Sequence, residues 1–182
     1  MKRVKGTVLV DFCKTMRADK SGVYQKYLTD EDKILFSQKI MPSAWYPYET
    51  FQHCFNAIFE VLAKKNLDTV RNWGRLYGKA IMSGIYKGLL KQGEPLEYIK
   101  KYEVYIRNFL DFGKMEIVEE KPNQVLMKLS DFDPDFPPLY AIMQGWLECT
   151  MEMCGAKNLR IDVLKKNPGD PFDAAIRLSW SL

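Results

Sequence analysis

The chain has 182 residues, of which 47 % are hydrophobic, and its 27 Lys+Arg against 23 Asp+Glu give a formal net charge of +4. This composition is ordinary for a globular protein and excludes a collagen-like repeat, a disordered tail and a disulfide scaffold. At roughly 150 residues per domain, the length favours one domain, which we assign to residues 1–182.

The amino-terminal third is predicted to be largely helical. Residues 4–10 fit a strand, because they are rich in β-branched side chains, and they fit equally the start of a helix. Residues 30–40 are predicted to form a short helix capped by Thr29 or Asp30. The segment Trp45-Tyr46-Pro47 is interpreted as an aromatic turn, with Pro47 at the first position of the next helix. That helix has an apolar face with spacings of three and four: Phe51, Phe55, Ile58, Phe59 and Leu62.

A second long helix is predicted over residues 68–92. Its apolar stripe consists of Trp73, Tyr77, Ile81, Ile85 and Leu89. Glycines are unusual inside a helix, because each costs about 1 kcal/mol relative to alanine, and this one contains Gly74, Gly78, Gly84 and Gly88. The spacing of four predicts that another helix packs closely against the glycine face.

In the second half of the chain, the spacing of the apolar residues changes from helical to alternating. A helix is expected from Pro95, with Leu96, Ile99, Tyr102, Ile106 and Phe109 on its inner face. Alternation then predicts a hairpin of residues 114–119 and 124–129. A helix from Pro137 to Gly155 follows, and then two strands, 159–164 and 174–180, that turn at 167–170. This order predicts an α+β fold, an N-terminal helical layer packed on an antiparallel sheet of about four strands.

Few residues carry recognisable chemistry. His53 is the only histidine, so a triad, a histidine zinc site or a proximal haem ligand would depend on it. Neighbouring residues of a helix point about 100° apart, so His53 and Cys54 are not expected to pair as base and nucleophile. The cysteines form no C-x-x-C motif, and the acidic loop at 131–135 lacks the glycine and glutamate of a calcium loop. We therefore expect neither a metal site nor an enzyme.

Aromatic side chains form the candidate binding set. A cavity for an apolar ligand is lined by aromatic groups with a few polar ones, and an ordinary core has the same composition. The candidate ligand-binding residues are Trp45, Tyr46, Phe51, His53, Cys54, Phe55, Trp73, Tyr77 and Trp146.

Several segments resemble a known family. They are Val4-Lys5-Gly6-Thr7-Val8, Trp45-Tyr46-Pro47 before a long helix, the Gly-Lys-Ala-x-x-x-Gly-Ile-Tyr-Lys-Gly-Leu-Leu run at 78–90, and Gly145-Trp146-Leu147-Glu148. Together they resemble a paralogous family of uncharacterised bacterial proteins over nearly the whole chain. That family looks like a distant member of a larger group. The group includes the haem nitric-oxide/oxygen-binding domains, the 4-vinyl reductase domains and the transport-particle (TRAPP) subunits of Golgi vesicle tethering.

The resemblance implies a helical layer on an antiparallel sheet, an internal apolar pocket and a regulatory or ligand-binding role rather than catalysis. The sequence also departs from the group. Haem-binding members carry a proximal histidine and a Tyr-x-Ser-x-Arg motif for the haem propionates, and this chain lacks that motif. Neither Cys13 nor Cys54 can be matched to the acylated cysteine of the tethering subunits, and the cysteine cluster of the 4-vinyl reductase domains is missing.

Three functional hypotheses follow. The first is a cytoplasmic, non-enzymatic sensor or adaptor that binds a small apolar ligand in an internal pocket. The second is a protein-interaction module, a homodimer with a dry core. The third is a haem-based sensor, so haem stays open as the cofactor. We expect no nucleic-acid partner, because the charge excess is small, and no membrane span, because no run approaches 18 apolar residues. The absence of an export signal favours a cytoplasm with reduced thiols.

Overall fold

The computed structural model describes residues 1–84, 87–164 and 172–182. The chain divides into two compact units. The first unit comprises residues 1–66 and 106–112, and the second comprises residues 67–105 and 113–182. The assignment of one domain to residues 1–182 stays a prediction. None of the described helices has the length and apolar content to cross a bilayer.

The first unit is built from three helices and a two-stranded sheet. Strand β1 (Arg3–Lys5) leads directly into α1 (Gly6–Ala18), so the ambiguous segment forms both a strand and a helix. Strand β2 (Trp45–Pro47) pairs antiparallel with β1, which makes the predicted aromatic turn wrong. Strand β1 also contacts the far end of the unit, because the Lys5 amide donates to the Phe109 carbonyl at 2.8 Å. Pairing with segments so distant in the chain leaves no local sequence signal.

Helices α2 (Asp30–Ser37) and α3 (Tyr48–Val61) confirm the two predicted helices of this unit. Thr29 caps α2, and Thr29 and Asp32 exchange hydrogen bonds in a capping box. Helix α2 ends three residues before the predicted limit. Pro47 lies before the first turn of α3, as the last residue of β2, rather than at the first helical position.

The second unit contains α4 (Leu67–Ser83), α5 (Pro95–Ile106) and α6 (Pro137–Met153). The prediction that α4 continues to residue 92 is wrong. The Gly84 amide bonds to the Ile81 carbonyl, three residues back, which tightens the turn at the end of α4. A separate 3-10 helix follows at Lys87–Leu89. Ile85, part of the predicted stripe, lies outside the described residues.

The four-stranded antiparallel sheet is confirmed. Its strands are β3 (Lys114–Lys121), β4 (Gln124–Ser130), β5 (Lys157–Leu164) and β6 (Ala174–Ser181), in the order β3-β4-β6-β5. Alternate residues of the two central strands are buried, as in Val125 opposite Leu178 and Met127 opposite Ile176. The predicted turn at 167–170 lies outside the described residues.

Helices α4 and α6 pack closely where both carry glycine. A Cβ at Gly74 would overlap the Ile142 carbonyl, and one at Gly145 would lie 2.7 Å from the Arg71 carbonyl carbon. At Gly78 a Cβ would lie 3.3 Å from the Trp146 Cα. The predicted close packing is therefore confirmed at Gly74 and Gly78. It is wrong for Gly84 and Gly88, because both lie after α4 and, within the described part of the chain, neither has an atom of another helix within 4 Å of an added Cβ.

Candidate functional site

The predicted site residues fall into two groups, one in each unit. Six lie on β2 and α3 in the first unit: Trp45, Tyr46, Phe51, His53, Cys54 and Phe55. Three lie on α4 and α6 in the second unit: Trp73, Tyr77 and Trp146. Whether these residues bind a ligand stays a prediction, and we describe each group by itself.

Phe51 and Phe55 belong to the aromatic core of the first unit. Both are at least 95 % buried. The Phe12 ring lies 5.7 Å from Phe51 and 5.5 Å from Phe55, centre to centre, within the range of favourable aromatic pairs. Tyr48 continues the cluster at 6.0 Å from Phe51. Phe12 and Tyr48 were not among the sequence candidates, although their apolar spacing is visible in the sequence.

Trp45 and Tyr46 lie at the half-buried edge of the same unit. The Lys5 ammonium lies 4.3 Å from the centre of the Trp45 ring, and the Arg3 guanidinium lies at 5.7 Å, so two cations face one indole. The Tyr46 hydroxyl accepts a hydrogen bond from the Met41 amide at 2.8 Å. Both aromatic side chains therefore have structural partners.

His53 is paired with a buried carboxylate. Its Nδ1 lies 2.7 Å from the Oδ2 of Asp32, whose side chain is 3 % exposed while that of His53 is 38 % exposed. The same Asp32 oxygen accepts the Thr29 amide at 2.9 Å. We call Thr29, Asp32, Thr50 and His53 the His53 cluster, since Thr50 also hydrogen-bonds the carboxylate. Asp32 and His53 are 21 residues apart, and no local pattern announces their pairing.

The carboxylate of the His53 cluster is stabilised in its ionised form. Burial alone would raise the pKa of Asp32, but hydrogen bonds from Thr29, Thr50 and His53 outweigh it and hold the pKa below its ordinary value. An ionised Asp32 only accepts, so Nδ1 of His53 carries the proton.

The four cysteines are all free and buried. Burial raises the pKa of each thiol: those of Cys13, Cys149 and Cys154, and most strongly that of Cys54, where nearby Asp32 adds to the effect. A nucleophilic cysteine needs a lowered pKa, so these thiols are not activated. Among the residues that the structure describes, no group of three or more His, Cys, Asp or Glu is placed to hold a metal ion.

The second unit has an aromatic cluster around Trp146. The Trp146 indole N–H donates to the Tyr98 hydroxyl at 3.0 Å, and the Tyr77 ring lies 5.5 Å from the Trp146 ring. We call Tyr77, Tyr98, Tyr102 and Trp146 the Trp146 cluster, because the Tyr102 ring lies 6.1 Å from that of Tyr98. Trp73, also a candidate, is half-buried on α4.

The Tyr98 and Tyr102 hydroxyls on α5 are neutral and hydrogen-bonded. The Tyr102 hydroxyl donates to the Met143 carbonyl at 3.2 Å. Burial, above all, raises the pKa of both Tyr98 and Tyr102. Sequence analysis missed Tyr98 as a site residue, although tyrosines at 98, 102 and 105 recur at helical spacing. Its role depends on Trp146, 48 residues away.

A buried carboxylate joins α4 to α6. The Glu148 side chain, 5 % exposed, accepts from Arg71 at 2.6 Å and from Arg75 at 3.3 Å. Gln144, one turn earlier on α6, donates at 3.2 Å to Oε1 of the same carboxylate, the oxygen that also pairs with Arg71. These contacts account for the acidic residue of the Gly145-Trp146-Leu147-Glu148 segment, whose partners the sequence does not reveal.

The fold is that of H-NOX domains. The Fe(II) unliganded H-NOX protein from K. algicida matches with a TM-score of 0.67 at 12 % identity, covering 98 % of this chain and 97 % of that one. An oxygen-binding H-NOX domain related to soluble guanylate cyclases, in its oxygen complex, matches at 0.62 and 14 % identity, covering 98 % and 95 %. A mutant H-NOX from T. tengcongensis matches at 0.56 and 14 % identity, covering 98 % of both chains. No protein-family model and no curated protein matches the sequence.

The iron and haem of such H-NOX structures make haem the cofactor to test here. Protein ligands of haem iron are imidazole, thiolate, thioether or phenolate groups. The thiols and the phenols of Tyr98 and Tyr102 are buried, and burial raises their pKa values, which disfavours the ionised forms that bind iron. The one imidazole is half-exposed and bonded to Asp32. These imidazole, thiol and phenol groups therefore do not fit haem iron.

Proposed function

We propose that this chain is a non-catalytic sensor or adaptor domain that binds a small apolar ligand within its fold. The observation that carries the proposal is the fold itself, shared over 98 % of the chain with an oxygen-binding H-NOX domain. Molecular oxygen is a small apolar ligand. Aromatic groups with few polar atoms suit such ligands, and both units contain buried aromatic clusters.

The state of the reactive side chains supports a role without catalysis. General acid–base or nucleophilic catalysis needs a group whose pKa matches its task and whose partner lies in hydrogen-bond reach. Burial raises the pKa of all four thiols. The hydrogen-bond partner of His53 is a buried carboxylate on α2 rather than a nucleophile.

We place the ligand at the Trp146 cluster. Tyr77 and Trp73 on α4 are half-buried, the Tyr77 ring lies 5.5 Å from that of Trp146, and the Trp146 and Tyr98 polar atoms bond to each other. A ligand there would contact aromatic faces of α4 and α6.

Mass spectrometry tests this proposal. Freshly purified protein is measured under native and denaturing conditions, and then again for Trp146→Phe and, as a control in the other unit, Trp45→Phe. The expected result is an added mass present only under native conditions, reduced in Trp146→Phe and kept in Trp45→Phe. A bare chain of 21.3 kDa in a preparation never stripped of ligand contradicts the proposal, and so does equal loss in both variants.

A protein-interaction module is the second candidate function. The observation that favours it is exposed apolar surface in the second unit, where Leu76 on α4 is 66 % exposed and Val104 on α5 is 65 % exposed. A single exposed leucine is common on protein surfaces and needs no explanation by itself. Light scattering over a range of concentrations separates the candidates, because a homodimer gives twice 21.3 kDa and Leu76→Lys is expected to return it to the monomer mass.

A further inference from the structure

His53, the only histidine of this chain, helps to hold helix α2 in place. Helix α2 has eight residues and is held at both ends by side chains from its neighbours. At its start, Asp32 closes the capping box with Thr29 and is bonded to His53 of α3. At its end, the Arg17 side chain of α1 donates to the Phe36 carbonyl at 2.7 Å and to the Gln38 carbonyl.

These contacts satisfy the groups that a helix leaves without partners. The first N–H groups and the last C=O groups of a helix have no intrahelical partner. Asp32 accepts the Thr29 amide at the first end, and the Arg17 guanidinium covers carbonyls at the other. A short helix gains little from its own hydrogen bonds, so α2 depends on such tertiary contacts.

An imidazole bonded to a carboxylate is not by itself evidence against metal binding. Metal-ligating histidines commonly donate their second ring N–H to a carboxylate. The surroundings decide the matter here. A haem also needs an apolar cover over its ring, whereas the His53 side chain is 38 % exposed and its Nδ1 is bonded to the buried Asp32 carboxylate.

We infer that His53 is a positioning residue that fastens α3 to the capped start of α2, and that this chain keeps its H-NOX-like fold without haem iron. The inference goes beyond the proposed function, because it assigns the one histidine and excludes iron as the centre at which a ligand binds. A ligand would then be held by side-chain contacts alone.

Hemin titration with thermal unfolding tests both parts. The wild type, His53→Ala and His53→Gln are titrated with hemin and followed by absorbance, and their Tm values are measured without hemin. We expect no one-to-one complex with a sharp Soret band in any of the three. We expect a Tm lower by about 4–8 °C in His53→Ala, since a hydrogen bond to a buried charge is lost. Partial recovery is expected in His53→Gln, whose amide N–H can still donate to Asp32.

Three outcomes overturn the inference. The first is a one-to-one wild-type complex with a sharp Soret band that His53→Ala abolishes and added imidazole restores. The second is a one-to-one complex that survives in His53→Ala, which would mean that a residue other than His53 binds the iron. The third is a His53→Ala Tm equal to that of the wild type, which removes the fastening role. None of these results depends on the native mass of a bound apolar ligand, so failure of the proposed function is recognised separately.

Discussion

Substitution of Gly145 by alanine is expected to force α4 and α6 apart. A Cβ at this position would lie 2.7 Å from the Arg71 carbonyl carbon and 3.0 Å from the Arg75 amide nitrogen, and it would overlap the Arg71 carbonyl oxygen. These neighbours are backbone atoms of α4, which cannot turn aside as a side chain does. The two helices must therefore separate, and a gap of about 0.5–1 Å already removes roughly a quarter to a half of a contact's dispersion energy.

The magnitude follows from two opposing effects. Overpacking of a closed interior typically costs about 1–3 kcal/mol, and a rigid backbone neighbour places this site at the upper end or above it. Alanine in place of glycine returns about 1 kcal/mol of helix propensity. We expect a net loss of about 2–3 kcal/mol, which corresponds to a Tm lower by about 4–12 °C for a chain of this size.

Thermal unfolding followed by circular dichroism, with urea unfolding in parallel, measures the effect. Gly88→Ala is the matched control, because no atom of the residues that the structure describes lies within 4 Å of the Cβ it would add. Its Tm is expected to stay within about 2 °C of the wild type. A Gly145→Ala protein as stable as the wild type, or an equal loss in Gly88→Ala, would refute the close packing of α4 on α6.

Further expectations concern buried polar groups. Glu148→Gln should lower the free energy of unfolding by about 1 kcal/mol, because a neutral amide replaces the buried carboxylate that pairs with Arg71 and Arg75, whose side chains are 43 % and 35 % exposed; urea unfolding that shows no loss would contradict this. Asp32 has a lowered pKa in the folded state, so its stabilisation is present above its ordinary value of 3.8 and is lost as the pH falls through the folded value. Wild-type stability should therefore fall more steeply with acid than that of Asp32→Asn, and parallel pH profiles would argue against it. Tyr102→Phe should cost about 1 kcal/mol because its hydrogen bond is lost. Tyr140→Phe should be neutral or stabilising, since that buried hydroxyl has no hydrogen-bond partner among the residues that the structure describes; calorimetry that reverses the order would overturn this reasoning.

The fold class was accessible from the sequence because periodicity is local. The spacing of Phe51 and Phe55 predicts α3, alternation predicts β3 and β4, and the order of elements predicts α+β. The glycine face of α4 was also visible, because Gly74 and Gly78 have no other reason to occupy a helix interior. The predicted α4 was too long, because apolar residues continue at helical spacing past Ser83 although the α-helix ends there.

The candidate site was only partly visible. Aromatic residues could be named from their spacing, but the sequence grouped Trp45 and Trp146 in one set while the structure places them in different units. The partners that give these side chains their roles, such as Tyr98 for the Trp146 indole, lie on other elements. Whether the set binds a ligand stays a prediction for the mass measurement.

The sequence by itself determined most of the helices and the four strands of the large sheet, because hydrophobic period, caps and turn residues act between neighbours in the chain. Tertiary structure alone decided that β1 pairs with β2, that Asp32 holds His53, and that Glu148 joins two arginines 73 and 77 residues away. The physical reason is that a buried charge or indole N–H takes whichever partner the fold brings within about 3 Å, and that choice is absent from any local pattern.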